Sequence, residues 1–180
     1  MSVMRGAKKL HVTGGPEINE TASRGYEPPA RVRDYFAEMY VAGVLADAGW
    51  DIYFPRRDNG FDMIVSRPAT NTTIVRPVQV KGKYASDEKT DKTAYGYVGR
   101  LTAFHDDMIL AMPFFTSQDA HAPALIAWLP RAALRPHSRG WRCQPARFVN
   151  SAPEPRPGYA QYFGEPGLMV FAAEVGVSII

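Results

Sequence analysis

In the stretch PVQVKGK, Pro77 to Lys83, an amide and an ammonium stand two residues apart, Gln79 and Lys81 alternating with Val78 and Val80. Side chains alternate faces along a strand, so Gln79 and Lys81 project together and the valines project oppositely. Upstream, Asp62 follows Phe61 in GFDMIVS, and Glu38 is the single charged residue between Tyr35 and Ala46. If the segments carrying Asp62 and Gln79 are neighbouring strands, one register sets a carboxylate, an amide oxygen and an ammonium side by side. A hard divalent cation suits that set, because Mg²⁺ takes one or two carboxylates and otherwise keeps water and substrate phosphate. Asp62 is then the chief ligand, with the Gln79 side-chain oxygen and the Val80 main-chain carbonyl as further donors. Lys81 is placed to orient or deprotonate an attacking water and to offset charge growing on a phosphorane-like transition state. Glu38 would hold metal-bound water or join the ligands.

These residues need elements to position them. Ala30 to Ala48 is rich in helix formers, free of proline and followed by Gly49, which predicts a helix. Its apolar character over nearly the whole circumference predicts burial and makes Glu38 conspicuous. Three strands are expected next, over Trp50–Phe54, Phe61–Ser66 and Thr73–Lys81, with Asn59-Gly60 suiting a tight turn between the first two. The reading continues with a loop over Gly82–Thr93, a second helix over Tyr97–His105, and buried strands over Met108–Phe115 and Ala124–Leu129. From Arg135 to Gly167 six prolines predict long loops, before a final strand near Leu168–Ala173. The order describes an α/β or α+β fold around a central mixed sheet flanked by helices. Residues 1–29, with Gly14, Gly15, Pro16, Pro28 and Pro29, read as an irregular N-terminal arm. Residues 30–180 read as one domain, its core over 30–130 and a loop-rich extension over 131–180.

Composition narrows the field. A chain of 180 residues, 46% hydrophobic, suffices for one ordinary core. The net charge of +3 permits a polyanionic partner without requiring one. Arg131, Arg135, Arg139, Arg142, Arg147 and Arg156 face a single acid, Glu154, with His137 and Trp141 interleaved. Such a segment either tracks phosphates or forms a solvated surface loop. Cys143 is the only cysteine, which excludes an intramolecular disulfide and a cysteine-based zinc site. No apolar run approaches the roughly 20 residues that span a bilayer, and the opening MSVMRGAKKLHV lacks the apolar core of a signal peptide, so a cytoplasmic protein is expected.

The order of a helical Glu38, then GFD ending at Asp62, then QVK at Gln79–Lys81 resembles the PD-(D/E)xK nuclease superfamily, which includes restriction endonucleases and archaeal junction resolvases. The resemblance covers about residues 30–130 and implies a restriction-endonuclease-like αβββαβ core. By that likeness Asp62 is the metal carboxylate, Gln79 the second acidic position, Lys81 the catalytic lysine and Glu38 the helical glutamate of resolvase-like members. The implied activity is Mg²⁺- or Mn²⁺-dependent hydrolysis of DNA by an endonuclease, with a two-fold homodimer as the default assembly. Phe61 stands where the family often has proline. Gln79 stands where it has a carboxylate, which removes one negative charge and lowers the expected metal affinity.

Other uses of the same residues stay open. Glu38 could pair with a buried arginine, Lys81 and Lys83 could guard a sheet edge, and Asp62 could close the Asn59-Gly60 turn. Lys83 competes with Lys81 for the catalytic role and ranks second. His11, His105, His121 and His137 lack metal-ligand spacing, leaving His105-Asp106-Asp107 as a minor candidate for DNA backbone or metal. Phosphate contacts are expected from Arg56, Arg57, Lys83 and Lys89 and from the arginine-bearing tail. Nothing resembles a base-reading module, so sequence-specific cutting is unsupported. A catalytically inactive nuclease fold that binds nucleic acid or protein is the alternative function, and a small-molecule α/β protein is a third.

Overall fold

A computed structural model describes residues 30–57, 60–86, 92–98, 105–138 and 140–173. The N-terminal arm, Asn59, Lys89 and most of the segment read as a second helix lie outside the described residues.

Helix α1 runs over Ala30–Asp47. Its burial follows one stripe, Ala37, Val41 and Leu45 with Ala42 beside them, while Tyr35 is 61% exposed. The expectation of an all-round buried helix is therefore corrected: its aromatic residues widen the apolar pattern, but only the stripe spaced by four, with Ala42, is fully buried. The helix ends as its sequence dictates. Gly49 takes φ +85°, its N–H donates to the Ala46 carbonyl, and the Trp50 N–H reaches back to Leu45. This paired arrangement satisfies carbonyls the last turn leaves open and folds Trp50 into the core beside Leu45.

The first sheet begins as an antiparallel meander of β1 (Asp51–Tyr53), β2 (Met63–Ala69) and β3 (Thr72–Val80). Strand β6 (Ile109–Phe115) then pairs in parallel with β3, and also with the short β4 (Lys83–Tyr84). Val80 stands opposite Ala111 and Lys83 opposite Phe114, so the register continues unchanged through Lys81 and Gly82. Strand β7 (Leu125–Pro130) closes the other edge of β6, antiparallel. Every residue of β6 is buried, as its uninterrupted apolar run requires for a strand covered on both faces. The fold is thus mixed α and β around a mixed sheet, as expected.

The C-terminal third departs from the expectation of loops. Strands β5 (Lys92–Val98), β8 (Arg135–His137), β9 (Gly140–Val149) and β10 (Ala152–Pro155) make a second, wholly antiparallel sheet. Thr93, read as loop, and Tyr97, read as helix, both belong to β5. The apolar run Leu168–Ala173, expected as a strand, lies in helix α2 (Gly164–Ala173), whose Glu165 and Pro166 suit a first helical turn.

The two faces of the first sheet carry two cores. Val78 and Val80 meet the α1 stripe with Met63, Ile109 and Phe115. Leu110, Met112 and Phe114 pack against Cys143, Ala146 and Phe148 of the second sheet. The expected helix-flanked sheet is therefore helix-covered on one face and sheet-covered on the other. Gly96 lets the sheets meet, because a side-chain carbon there would lie 2.7 Å from the Met112 sulfur and 2.8 Å from that of Cys143.

Candidate active site

The pairing of β2 and β3 ends at Met63 opposite Val78, and Asp62 lies just beyond it. The ladder turns irregular there. The Asp62 N–H donates to the Val78 carbonyl, and the Asp62 carboxylate accepts the Val80 N–H at 2.5 Å. In a regular ladder that N–H would bond the Phe61 carbonyl, but Phe61 has turned to pack in the inter-sheet core. The carboxylate therefore lies in the plane of the sheet, at the end of β2. Gly60, at φ +86°, leads the chain into this corner from the expected turn. In a strand the N–H and C=O of one residue point to the same side, so the Val80 carbonyl emerges on the edge that Asp62 occupies.

Parity fixes the rest. Val78, Val80, Gly82 and Tyr84 face α1, and Gly82 shows how closely: a side-chain carbon there would lie 3.0 Å from Ala37 Cβ. The Tyr84 hydroxyl donates to the Arg33 carbonyl at 3.0 Å, tying the start of α1 to β4, and its ring stacks on Phe115 at 4.5 Å. Burial, reinforced by the Asp34 carboxylate, raises the Tyr84 pKa, which keeps that hydroxyl a donor. Gln79, Lys81 and Lys83 project from the opposite face. The Lys81 N–H is bonded to the Ala111 carbonyl at 2.9 Å, so its backbone is held within the ladder.

Gln79 is 8% exposed, and its Oε1 has no hydrogen-bond partner among the described residues. An amide oxygen left so costs free energy unless something else occupies it. The chain neighbour of Gln79, Val80, is the residue whose N–H the Asp62 carboxylate accepts. A cation bound by the Asp62 carboxylate, Gln79 Oε1 and the Val80 carbonyl fits this donor chemistry, since all three atoms are hard oxygens. Among the described residues no three His, Cys, Asp or Glu side chains gather as a metal site, so the candidate set contains one carboxylate rather than several.

Asp62 thus meets β3 at Val80, between Gln79 and Lys81 in the chain, and Glu38 stands on the helix that covers the Val78 face of the sheet. It lies on α1 next to Ala37, half-buried, on the Val78 side of the sheet. Arg56 and Arg57 are exposed in the connection that enters the Asp62 corner, and Lys83 is half-buried on the Gln79 face. His105-Asp106-Asp107 is absorbed by structure. Asp107 pairs with the buried Arg76 at 2.8 Å and Asp106 pairs with Arg131. Arg76, not singled out from the sequence, is 4% exposed; its signal was a charge between Val75 and Pro77 in an apolar strand.

No protein-family model matches the chain, and no curated protein matches it significantly. Among the described residues no helix is long and apolar enough to cross a membrane.

Proposed function

We propose that the protein is a Mg²⁺- or Mn²⁺-dependent DNA endonuclease with a restriction-endonuclease-like core. What carries the reading is the buried Gln79 oxygen, without a hydrogen-bond partner among the described residues, next to the Val80 N–H that the Asp62 carboxylate accepts and two residues before Lys81. Bound there, a divalent cation would polarise a phosphoryl oxygen and supply a water acidic enough to react near neutral pH.

The chain's own residues divide the remaining work. Asp62, Gln79 and the Val80 carbonyl hold the ion, with Asp62 fixed in orientation by the Val80 N–H. The Lys81 ammonium stands beside the reacting phosphate, where it orients the incoming water and stabilises negative charge on the phosphoryl oxygens. Its backbone bond to Ala111 keeps it from drifting along the strand. Arg56 and Arg57 meet strand phosphates at the mouth of the corner, and Lys83 extends the positive row inward.

A second reading, a nuclease fold that binds without cutting, is favoured by two observations. Gln79 lacks the charge of a carboxylate, and Glu38 stands across the sheet. Incubation of the protein with supercoiled plasmid and Mg²⁺ or Mn²⁺, beside Lys81→Ala and Asp62→Asn, separates the two. Nicking that both variants abolish supports the enzyme. Salt-dependent DNA binding with no nicking supports the binding module, and nicking undiminished in both variants rejects this site.

A further inference from the structure

Strand β1 carries two bare rings at the edge of the first sheet. It is the outermost strand, beside β2. Tyr53, its last residue, and Phe54 after it are 55% and 53% exposed, and the exposed Arg56 and Arg57 follow directly. Among the described residues neither ring touches another aromatic ring, and neither guanidinium meets a carboxylate. A lone exposed aromatic is ordinary, but two adjacent ones leading into two unpaired cations form a patch of one character.

Register puts Tyr53 on the candidate site's side of the sheet. Ile52 packs into the core beneath α1, so Tyr53 projects from the opposite face, the one that carries Gln79 and Lys81. Tyr53 pairs with Ile64, and Ile64 with Pro77, two residues before Gln79. Asp62 is two residues from Ile64 along the chain, which sets its backbone on the order of 8 Å from that of Tyr53. The second sheet does not reach this far. Its core takes Leu110, Met112 and Phe114 of β6 with Ala127 and Leu129 of β7, and no residue of β1 or β2 joins it. The Tyr53 ring is therefore bare because its face is open, on the side where a phosphate would meet Asp62. Asp51, the acid of this strand, stands at the far end opposite Ser66, and Asp58 lies outside the described residues. Duplex bases are already stacked on one another, so only an unpaired base offers its face to such a ring, and the arginines attract the phosphates on either side of it.

We propose that Tyr53 and Phe54 are a stacking platform for unpaired bases, so that the DNA taken up at the Asp62 corner is single-stranded there. The choice of DNA rests on the proposed function, whereas the platform is tested without divalent cation, so the two fail separately. Fluorescence anisotropy in chelator compares three ligands: a single-stranded oligonucleotide, an abasic strand with the same phosphates, and a duplex of the same length. The wild type should bind the oligonucleotide about tenfold more tightly than either of the others. Tyr53→Phe should keep that preference, and Tyr53→Ala combined with Phe54→Ala should lose most of it. Arg56→Gln should weaken all three ligands alike and flatten the salt dependence. Equal affinity of the wild type for the oligonucleotide and the abasic strand overturns the proposal, as does a preference that survives the double substitution. A duplex bound as tightly as the oligonucleotide overturns the single strand as ligand. Plasmid nicking without base-dependent binding strikes the platform and leaves the metal site standing. If the double variant fails to fold, the exposed Tyr53→Ala carries the test alone.

Discussion

Gln79→Met separates a buried oxygen that serves a cation from one that is a packing defect. The side chain is 8% exposed and its Oε1 is unpartnered, a state that costs roughly 1–3 kcal/mol in a folded protein. Methionine nearly conserves the volume, is flexible enough to fit the gap, and carries no oxygen to desolvate. With chelator present the variant should therefore be more stable than the wild type by about 1 kcal/mol, which raises the melting temperature of a chain this size by roughly 2–4 °C. Saturating Mn²⁺ should reverse the order. A cation at a hundred times its dissociation constant adds about 2.7 kcal/mol to a protein that binds it only when folded, and the variant forfeits most of that gain. Thermal unfolding of both proteins in chelator and in Mn²⁺ measures all four stabilities. A variant less stable than the wild type in chelator refutes the unpartnered oxygen, and equal stabilisation of both by Mn²⁺ refutes its role as a ligand.

Three further outcomes are expected. Asp62→Asn keeps an oxygen for the Val80 N–H and should abolish nicking at near-wild-type stability, whereas Asp62→Ala should also cost roughly 1–3 kcal/mol in denaturant unfolding; equal stability of the two variants would argue against that hydrogen bond. Gly96→Ala should destabilise by about 1–3 kcal/mol through overpacking against Met112 and Cys143, and a wild-type denaturation midpoint would show that the sheets can part at no cost. Burial pushes the Cys143 thiol up from 9.0 to about 12, with a backbone hydrogen bond with Gly96 and the charge of Lys83 as smaller opposing causes. Because folding holds the proton, this group's contribution to stability is complete below pH 9 and is lost as pH rises towards 12. Unfolding free energies should fall across that window in the wild type and less in Cys143→Ala, and parallel profiles would count against the assignment.

What was legible around the candidate site depends on short-range rules. Alternation put Gln79 and Lys81 on one face, and β2 and β3 pair as neighbours with Asp62 at the end of that pairing. The side of the sheet on which Glu38 stands was not legible, because counting charges along a helix reports how apolar it is, not which face it will cover. The second sheet was hidden for a different reason. In β9, arginines occupy the outward positions and Pro145 interrupts the alternation, so WRCQPARFV carries a weaker strand signal than the apolar β6 does. Its inward residues, Cys143, Ala146 and Phe148, acquire meaning only against Leu110, Met112 and Phe114. At Leu168–Ala173 the apolar run was ambiguous between strand and helix, and Glu165-Pro166 just before it was the available tie-breaker.

The unbroken register across Lys81 and Gly82 leaves this length of chain no slack. One residue inserted there would exchange the two sides of everything downstream in β4. Tyr84 would be torn from its stack on Phe115, and the charge of Lys83 would be driven into the apolar layer beneath α1. Variants of altered length should therefore be tolerated at the Thr70-Asn71 hairpin and rejected at this junction, so that Lys81 keeps its distance from Asp62 while the periphery is free to diverge.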